Sequence, residues 1–281
     1  MIKHYISNLK IRSGLLFFIS FIPGLIFSQS QKGRVLSSET NSGIGFVNVG
    51  IIDTNIGTVS DEIGNFTLTL DNIYDDDSLR FSMIGFESKS LLVGQFKGDS
   101  IKNVYLKPVF YNLPEIKVIY RKPREIKLGT KVVTNILRSG FANNNLGSEL
   151  GIKFRVKGLV KLKNINLNVA ICTYDSVTYR LNIYQSDNQI DYKNILTVPI
   201  YISFSKDKIN NVITFDLSKY SILVEGNVLV ALELYKDLGE GRLLFHTEYF
   251  TGTTYHRKAI EGKWTEAAGV IGMYLRGQLI R

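Results

Sequence analysis

A chain of 281 residues, 44% hydrophobic and 21% charged, is long enough for two domains and too apolar for a disordered polypeptide. Its formal net charge of +9 includes Lys3, Lys10 and Arg12 at the N-terminus; the rest is spread thinly, with no basic run interleaved with aromatics, which excludes a nucleic-acid groove. The single cysteine, Cys172, rules out an intramolecular disulfide, so core packing must hold the fold.

Lys3, Lys10 and Arg12 form a basic head. An apolar run, Leu15 to Ile22, follows and is extended past Pro23 and Gly24 by Leu25-Ile26-Phe27. Small residues, Ser28 and Ser30, come next. This layout predicts a secretory signal peptide over residues 1–30. The run is short for a stable span, and Pro23-Gly24 breaks it. No cysteine stands directly after it, so a lipid-modified N-terminal cysteine is not expected. The expected location is the periplasm or an association with the outer membrane, with no transmembrane segment in the mature chain.

Residues 31–108 alternate short apolar runs with turn signals, the pattern of a β-sandwich. Strands are expected at Gly33–Ser37, Phe46–Ile52, Thr58-Val59, Asn65–Leu70, Leu79–Met83, Phe86–Val93 and Ile101–Leu106. In the second, Phe46, Asn48, Gly50 and Ile52 share one face, and Val47, Val49 and Ile51 the other. Asp61-Glu62-Ile63-Gly64 reads as a tight turn. There the Asp61 carboxylate accepts from backbone amides and Gly64 takes positive φ. Asp71 with Asp75-Asp76-Asp77 offers oxygen ligands of the kind Ca²⁺ takes. It lacks the spaced ligands of a calcium loop, and a solvated turn is expected.

Gly33-Arg34-Val35, Phe46-Val47-Asn48-Val49, Gly57-Thr58-Val59-Ser60-Asp61-Glu62-Ile63-Gly64-Asn65-Phe66 and Ile84-Gly85-Phe86 together resemble the carboxypeptidase-like regulatory domain. The resemblance implies a seven-strand, transthyretin-like sandwich, a module found in exported Bacteroidetes proteins and in front of TonB-dependent nutrient receptors. It departs from the family at Gly43, Gly45 and Ser60, where prolines and Thr are frequent. The resemblance implies an envelope setting and no peptidase activity.

Residues 109–130 read as a linker. Asn112 to Val118 resembles the segment that follows this domain in the receptors, and Arg121-Lys122-Pro123-Arg124 reads as an exposed joint. The remaining 131–281 is too short for a receptor's 22-strand barrel. A short helix is expected at Lys131–Leu137. Strands are then expected at Leu150–Val156, Ile165–Ile171, Tyr179–Tyr184, Ile200–Phe204, Val212–Phe215, Val228–Leu234, Arg242–His246, Thr253–Tyr255 and Gly269–Leu275. In the third, Tyr179, Leu181 and Ile183 oppose Arg180, Asn182 and Tyr184. The whole chain is thus expected to be all-β, with a second, jelly-roll-like β-sandwich after the first. Cys172, in a strand-like run, reads as a buried and inert thiol.

No catalytic constellation emerges. His246 and His256 lack metal-ligand spacing, and there is no nucleophile elbow or phosphate-cradling loop. Glu233 and Glu248 offer a carboxylate pair for glycoside chemistry but read as solvated strand positions. Neither a metal nor a cofactor is expected. Trp264 with Tyr249 and Tyr255, joined by Phe250, is the candidate ligand platform, because a sugar's C–H face stacks on aromatic rings; the plainer reading packs Trp264 on the core. The sequence therefore predicts a non-enzymatic exported envelope protein, a docking or binding module for an envelope protein or a glycan. The alternatives are a carbohydrate-binding protein acting through the C-terminal sandwich and an accessory of a peptidase or nutrient-uptake system.

Overall fold

In the computed structural model the described residues are 29–98, 101–109, 124–134, 136–209 and 212–280. The signal segment, except its last two residues, and residues 110–123 of the linker lie outside them. Among the described residues no helix is long and apolar enough to cross a membrane.

The N-terminal unit has seven strands: β1 (Gln29–Ser37), β2 (Asn48–Ile51), β3 (Gly57–Val59), β4 (Asn65–Leu70), β5 (Ser78–Ser82), β6 (Lys89–Leu92) and β7 (Lys102–Leu106). They form two sheets, β4-β1-β7 and β3-β2-β5-β6, with β1 and β7 parallel. Each expected strand is present. The alternation of β4 decides its faces: Phe66, Leu68 and Leu70 are buried, and Asn65, Thr67 and Thr69 are exposed. Val47, Val49 and Ile51 join them in a core that also holds Phe81 and Phe96. Asp61 Oδ1 accepts from the amides of Ile63 (3.0 Å) and Asn65 (2.8 Å), and Gly64 has φ of 88°. The turn is thus built as its residues require.

The second unit contains β8 (Arg124–Gly129), β9 (Leu137–Phe141), β10 (Glu149–Cys172), β11 (Ser176–Ser186), β12 (Lys193–Asn194), β13 (Ile200–Ser205), β14 (Val212–Asp216), β15 (Leu223–Glu233), β16 (Leu243–Arg257), β17 (Thr265–Ile271) and β18 (Met273–Leu279). All eleven belong to one hydrogen-bonded sheet. The sheet curls around a single core drawn from both halves of β10 and from β11, β13, β15, β16 and β18.

Several boundaries differ from the sequence expectation. The sheet begins inside the expected linker, because β8 pairs with β18 from Arg124↔Leu279 to Gly129↔Tyr274. Of the segment expected to be helical, Lys131–Leu137, the described residues 131–134 and Ile136 form no helix, and Leu137 is the first residue of β9. Leu150–Val156 and Ile165–Ile171 are two parts of one strand, β10. A bulge at Gly158, whose φ is 81°, and a second shift between Leu162 and Asn164 interrupt its register. The second shift inserts one residue, so core positions change from even (Leu150, Ile152, Val160, Leu162) to odd (Ile165, Leu167, Val169) while facing the same core. β16 likewise joins two expected strands, whereas Gly269–Leu275 is divided between β17 and β18 at Gly272.

Candidate functional site

The polar face of β11 forms the floor of the junction between the two units. Alternation sends Tyr179, Leu181 and Ile183 into the core and leaves Arg180, Asn182 and Tyr184 on the outer face. These outer residues are not solvated. Arg180 is 1% exposed and Asn182 2%, because the N-terminal unit lies over them.

Cross-strand register aligns four charges on adjacent strands. Arg180 on β11 stands opposite Glu233 on β15, Glu233 opposite Glu149 on β10, and Glu149 opposite Arg257 on β16. The order is plus, minus, minus, plus. Arg180 Nε donates to Glu233 Oε2 at 2.9 Å, and Arg257 pairs with Glu149. Two carboxylates directly opposite each other repel. Asn182 Nδ2 relieves this by donating to both, at 2.6 Å to Glu149 Oε1 and 2.6 Å to Glu233 Oε2. Tyr184 donates its hydroxyl to Glu149 Oε1 at 2.8 Å. Such a network is tolerable out of water because its members satisfy each other.

Arg180 also grips the other unit. Its Nη1 donates to the Phe46 carbonyl at 2.7 Å and its Nη2 to Asn48 Oδ1 at 2.7 Å. Phe46 has φ of 60°, a conformation that costs a bulky residue about 1–2 kcal/mol. The backbone there is held with its carbonyl on the guanidinium and its ring edge-on to Tyr235, 4.8 Å between centroids. Glu261 adds a second contact, accepting from Ser82 Oγ at 3.0 Å. Close approach continues at Gly57, where a Cβ would lie 2.9 Å from that of Ala259.

Burial dominates the electrostatics. It pushes the Glu149 carboxyl above its ordinary 4.5, with Arg257 pulling down and Glu233 pushing up. Burial acts against the Arg180 charge, but Glu233 turns its net shift upward. The Tyr184 hydroxyl is held well above its ordinary range by burial and by Glu149.

A cleft of about 410 Å³ opens along the seam, within the size range of small-molecule sites. Arg80 and Ser82 line it from the N-terminal unit, and Asn182, Tyr192, Lys193 and Arg257 from the sheet. A larger hollow, about 720 Å³, lies on the Phe46 and Tyr235 side of the seam and is mainly apolar.

The residues expected from the sequence fall in different places. Trp264 and Tyr255 pack beside the charged row, partly buried with Tyr184, Tyr192, Leu229 and Ala231. The Arg257 guanidinium lies 4.5 Å from the Trp264 ring centroid, and Lys153 Nζ lies 3.9 Å from that of Tyr255. Both rings thus carry a cation of this chain on one face. Tyr249 lies elsewhere, exposed beside Phe250 where β16 and β17 lose register. Glu233 is wholly buried and ion-paired, not solvated, because the second unit's outer face is covered; Glu248 is hydrogen-bonded by Thr251 at 3.0 Å. His246 and His256 sit towards opposite ends of β16, with His246 Nδ1 against the Thr134 carbonyl. Among the described residues no group of three metal-ligating side chains assembles. In the acidic loop the Lys97 ammonium pairs with Asp75 and donates to Asn72 Oδ1 at 2.9 Å. Cys172 is half-buried, not buried, with its thiol pushed up by desolvation. The sequence missed Glu149 and Arg257 altogether, because they are the first residue of β10 and the last of β16 and fall just outside the expected strands Leu150–Val156 and Thr253–Tyr255.

Residues 31–118 match the family model described as CarboxypepD_reg-like domain, and so the chain carries that domain at its N-terminal end. No curated protein matches the chain. Among solved structures, the chain aligns with one described as the crystal structure of infectious bursal disease virus VP2 subviral particle. The identity is 12% and the TM-score 0.16, over 91% of this chain and 65% of that one, which is less than two thirds of its length. A likeness this low carries no argument about fold or role.

Proposed function

We propose that this protein is a non-enzymatic, exported cell-envelope binding protein in which the regulatory-like domain and the curled sheet act as one rigid body. The observation that carries this is Arg180, which is buried and shared between the two units. A domain fixed in this way cannot act as a freely swinging tether, so the seam is where both units can meet one ligand. The basic head and apolar run of residues 3–27 support export. The regulatory-like domain, which resembles the module of Bacteroidetes envelope proteins and TonB-dependent receptors, supports the envelope setting. The pairing of Glu149 and Glu233 with arginines, away from solvent, supports a structural role for these acids rather than a catalytic one.

The polar lining of the seam cleft favours a hydroxyl-rich ligand, and a saccharide is the second reading. The test uses residues 29–281 against immobilised peptidoglycan fragments and envelope polysaccharides. Retention that is lost in Lys193→Glu and Tyr192→Ala, with an unchanged melting temperature, supports the seam as the site. Steady hydrolysis of a retained glycan overturns the non-enzymatic reading. Retention unaffected by both variants removes the cleft from consideration.

A further inference from the structure

One corner of the second unit presents an aromatic tip that neither core nor seam accounts for. Phe250 is 96% exposed and Tyr249 53%, and their rings meet edge to face at 5.3 Å. They lie where the pairing of β16 with β17 is interrupted between Glu248 and Thr253, so the chain protrudes there. The segment leading into β9 runs beside them, because Leu137 pairs with Thr247. It contributes Ile136, 95% exposed, and the exposed Val133.

This exposure is imposed by the surrounding structure. Val132 is buried, and its carbonyl accepts from the Nδ2 of Asn168, itself fully buried. The next carbonyl but one, that of Thr134, contacts buried His246. With the backbone pinned on either side of it, Val133 is held outward, and Ile136 stays exposed one position before β9 begins. Large apolar side chains clustered in this way mark a contact surface.

We infer that the tip formed by Val133, Ile136, Tyr249 and Phe250 inserts into the interfacial region of an anionic lipid bilayer. Its size and its charges both favour that occupant. The tip offers four exposed side chains, whereas a stable protein interface needs about 20–30 residues on each partner. Aromatic rings are favoured at the headgroup level of a bilayer. Lys131 and Arg138, both exposed, stand two positions before Val133 and two after Ile136, and the Glu248 carboxylate next to Tyr249 is engaged by Thr251. Cations beside an inserted apolar tip are attracted by anionic headgroups. Such contact would hold the seam at a fixed distance from the membrane surface. The inference is independent of what the seam binds.

The test is co-sedimentation of residues 29–281, which carry every described strand of both units, with vesicles of phosphatidylethanolamine and phosphatidylglycerol. Phosphatidylcholine vesicles are the control. Tyr249→Ser with Phe250→Ser should lower partitioning roughly tenfold or more without altering the melting temperature, since both rings are exposed. Lys131→Glu with Arg138→Glu should remove the preference for anionic lipid and the salt dependence. Phe250→Trp should retain binding and give an indole quenched by brominated lipid. Equal partitioning of the serine variant and the parent overturns the inference. So does absence of partitioning by the parent, or a dimer of the parent that the serine variant abolishes.

Discussion

Arg180 and Glu233 face each other across β11 and β15, wholly out of solvent, and the same guanidinium reaches the Phe46 carbonyl and Asn48 of the other unit. The pair is therefore both a cross-strand contact and the fastening of the two domains. Removing one partner of a buried ion pair leaves an uncompensated charge. Arg180→Met should cost about 3–5 kcal/mol in urea denaturation. Arg180→Met with Glu233→Leu should recover most of that loss. A double variant as unstable as the single one would mean that the contacts to Phe46 and Asn48 dominate.

The Glu149 carboxyl is held above its ordinary 4.5, first by burial. A carboxyl that keeps its proton more readily folded than unfolded makes the folded state bind more protons. Stability contributed by this group is then greatest in acid and declines as pH rises from 4.5 through the folded value, after which it levels. Urea midpoints measured across that range should show the decline in the parent and lack it in Glu149→Gln. Parallel profiles for the two proteins would refute the assignment.

Gly64 holds φ at 88°, and a Cβ there would come within 2.4 Å of the Val35 carbonyl oxygen. Gly64→Ala should destabilise the N-terminal sandwich by more than about 1 kcal/mol. Gly57→Val should act differently, opening the seam against Ala259. Increased hydrogen exchange at Asn48 and Ser82, with core strands unaffected, would identify the second effect.

Trp264 and Tyr249 are candidates for one platform by residue type alone, but their surroundings predict opposite responses. Trp264→Ala removes a partly buried ring and the surface on which Arg257 lies, and should cost about 2 kcal/mol. Tyr249→Ala should change stability by less than about 0.5 kcal/mol. Thermal melts of the two variants distinguish these surroundings, and similar losses would contradict them.

The N-terminal sandwich was legible strand by strand, since its strands are short, alternate cleanly and end at turns such as Asp61–Gly64. In the second unit the alternation was legible but its continuity was not. A bulge at Gly158 interrupts a pattern as a turn does, and only the pairing partners show that β10 runs on. The aromatic candidates were visible as residue types, but their grouping depended on which strand positions oppose Trp264.

By itself, the sequence determined the all-β composition, the seven-strand first domain and the two faces of β2 and β11, because side-chain alternation is a property of the local chain. It left open what the polar face of β11 meets, and it read Glu233 as solvated, the usual state of a lone carboxylate on a strand. Only the tertiary structure decided that the polar face of β11 meets the outer face of β2, with Arg180 on Asn48. Burial there depends on residues more than a hundred positions away, and whether a charge is solvated or paired is settled by what packs over it.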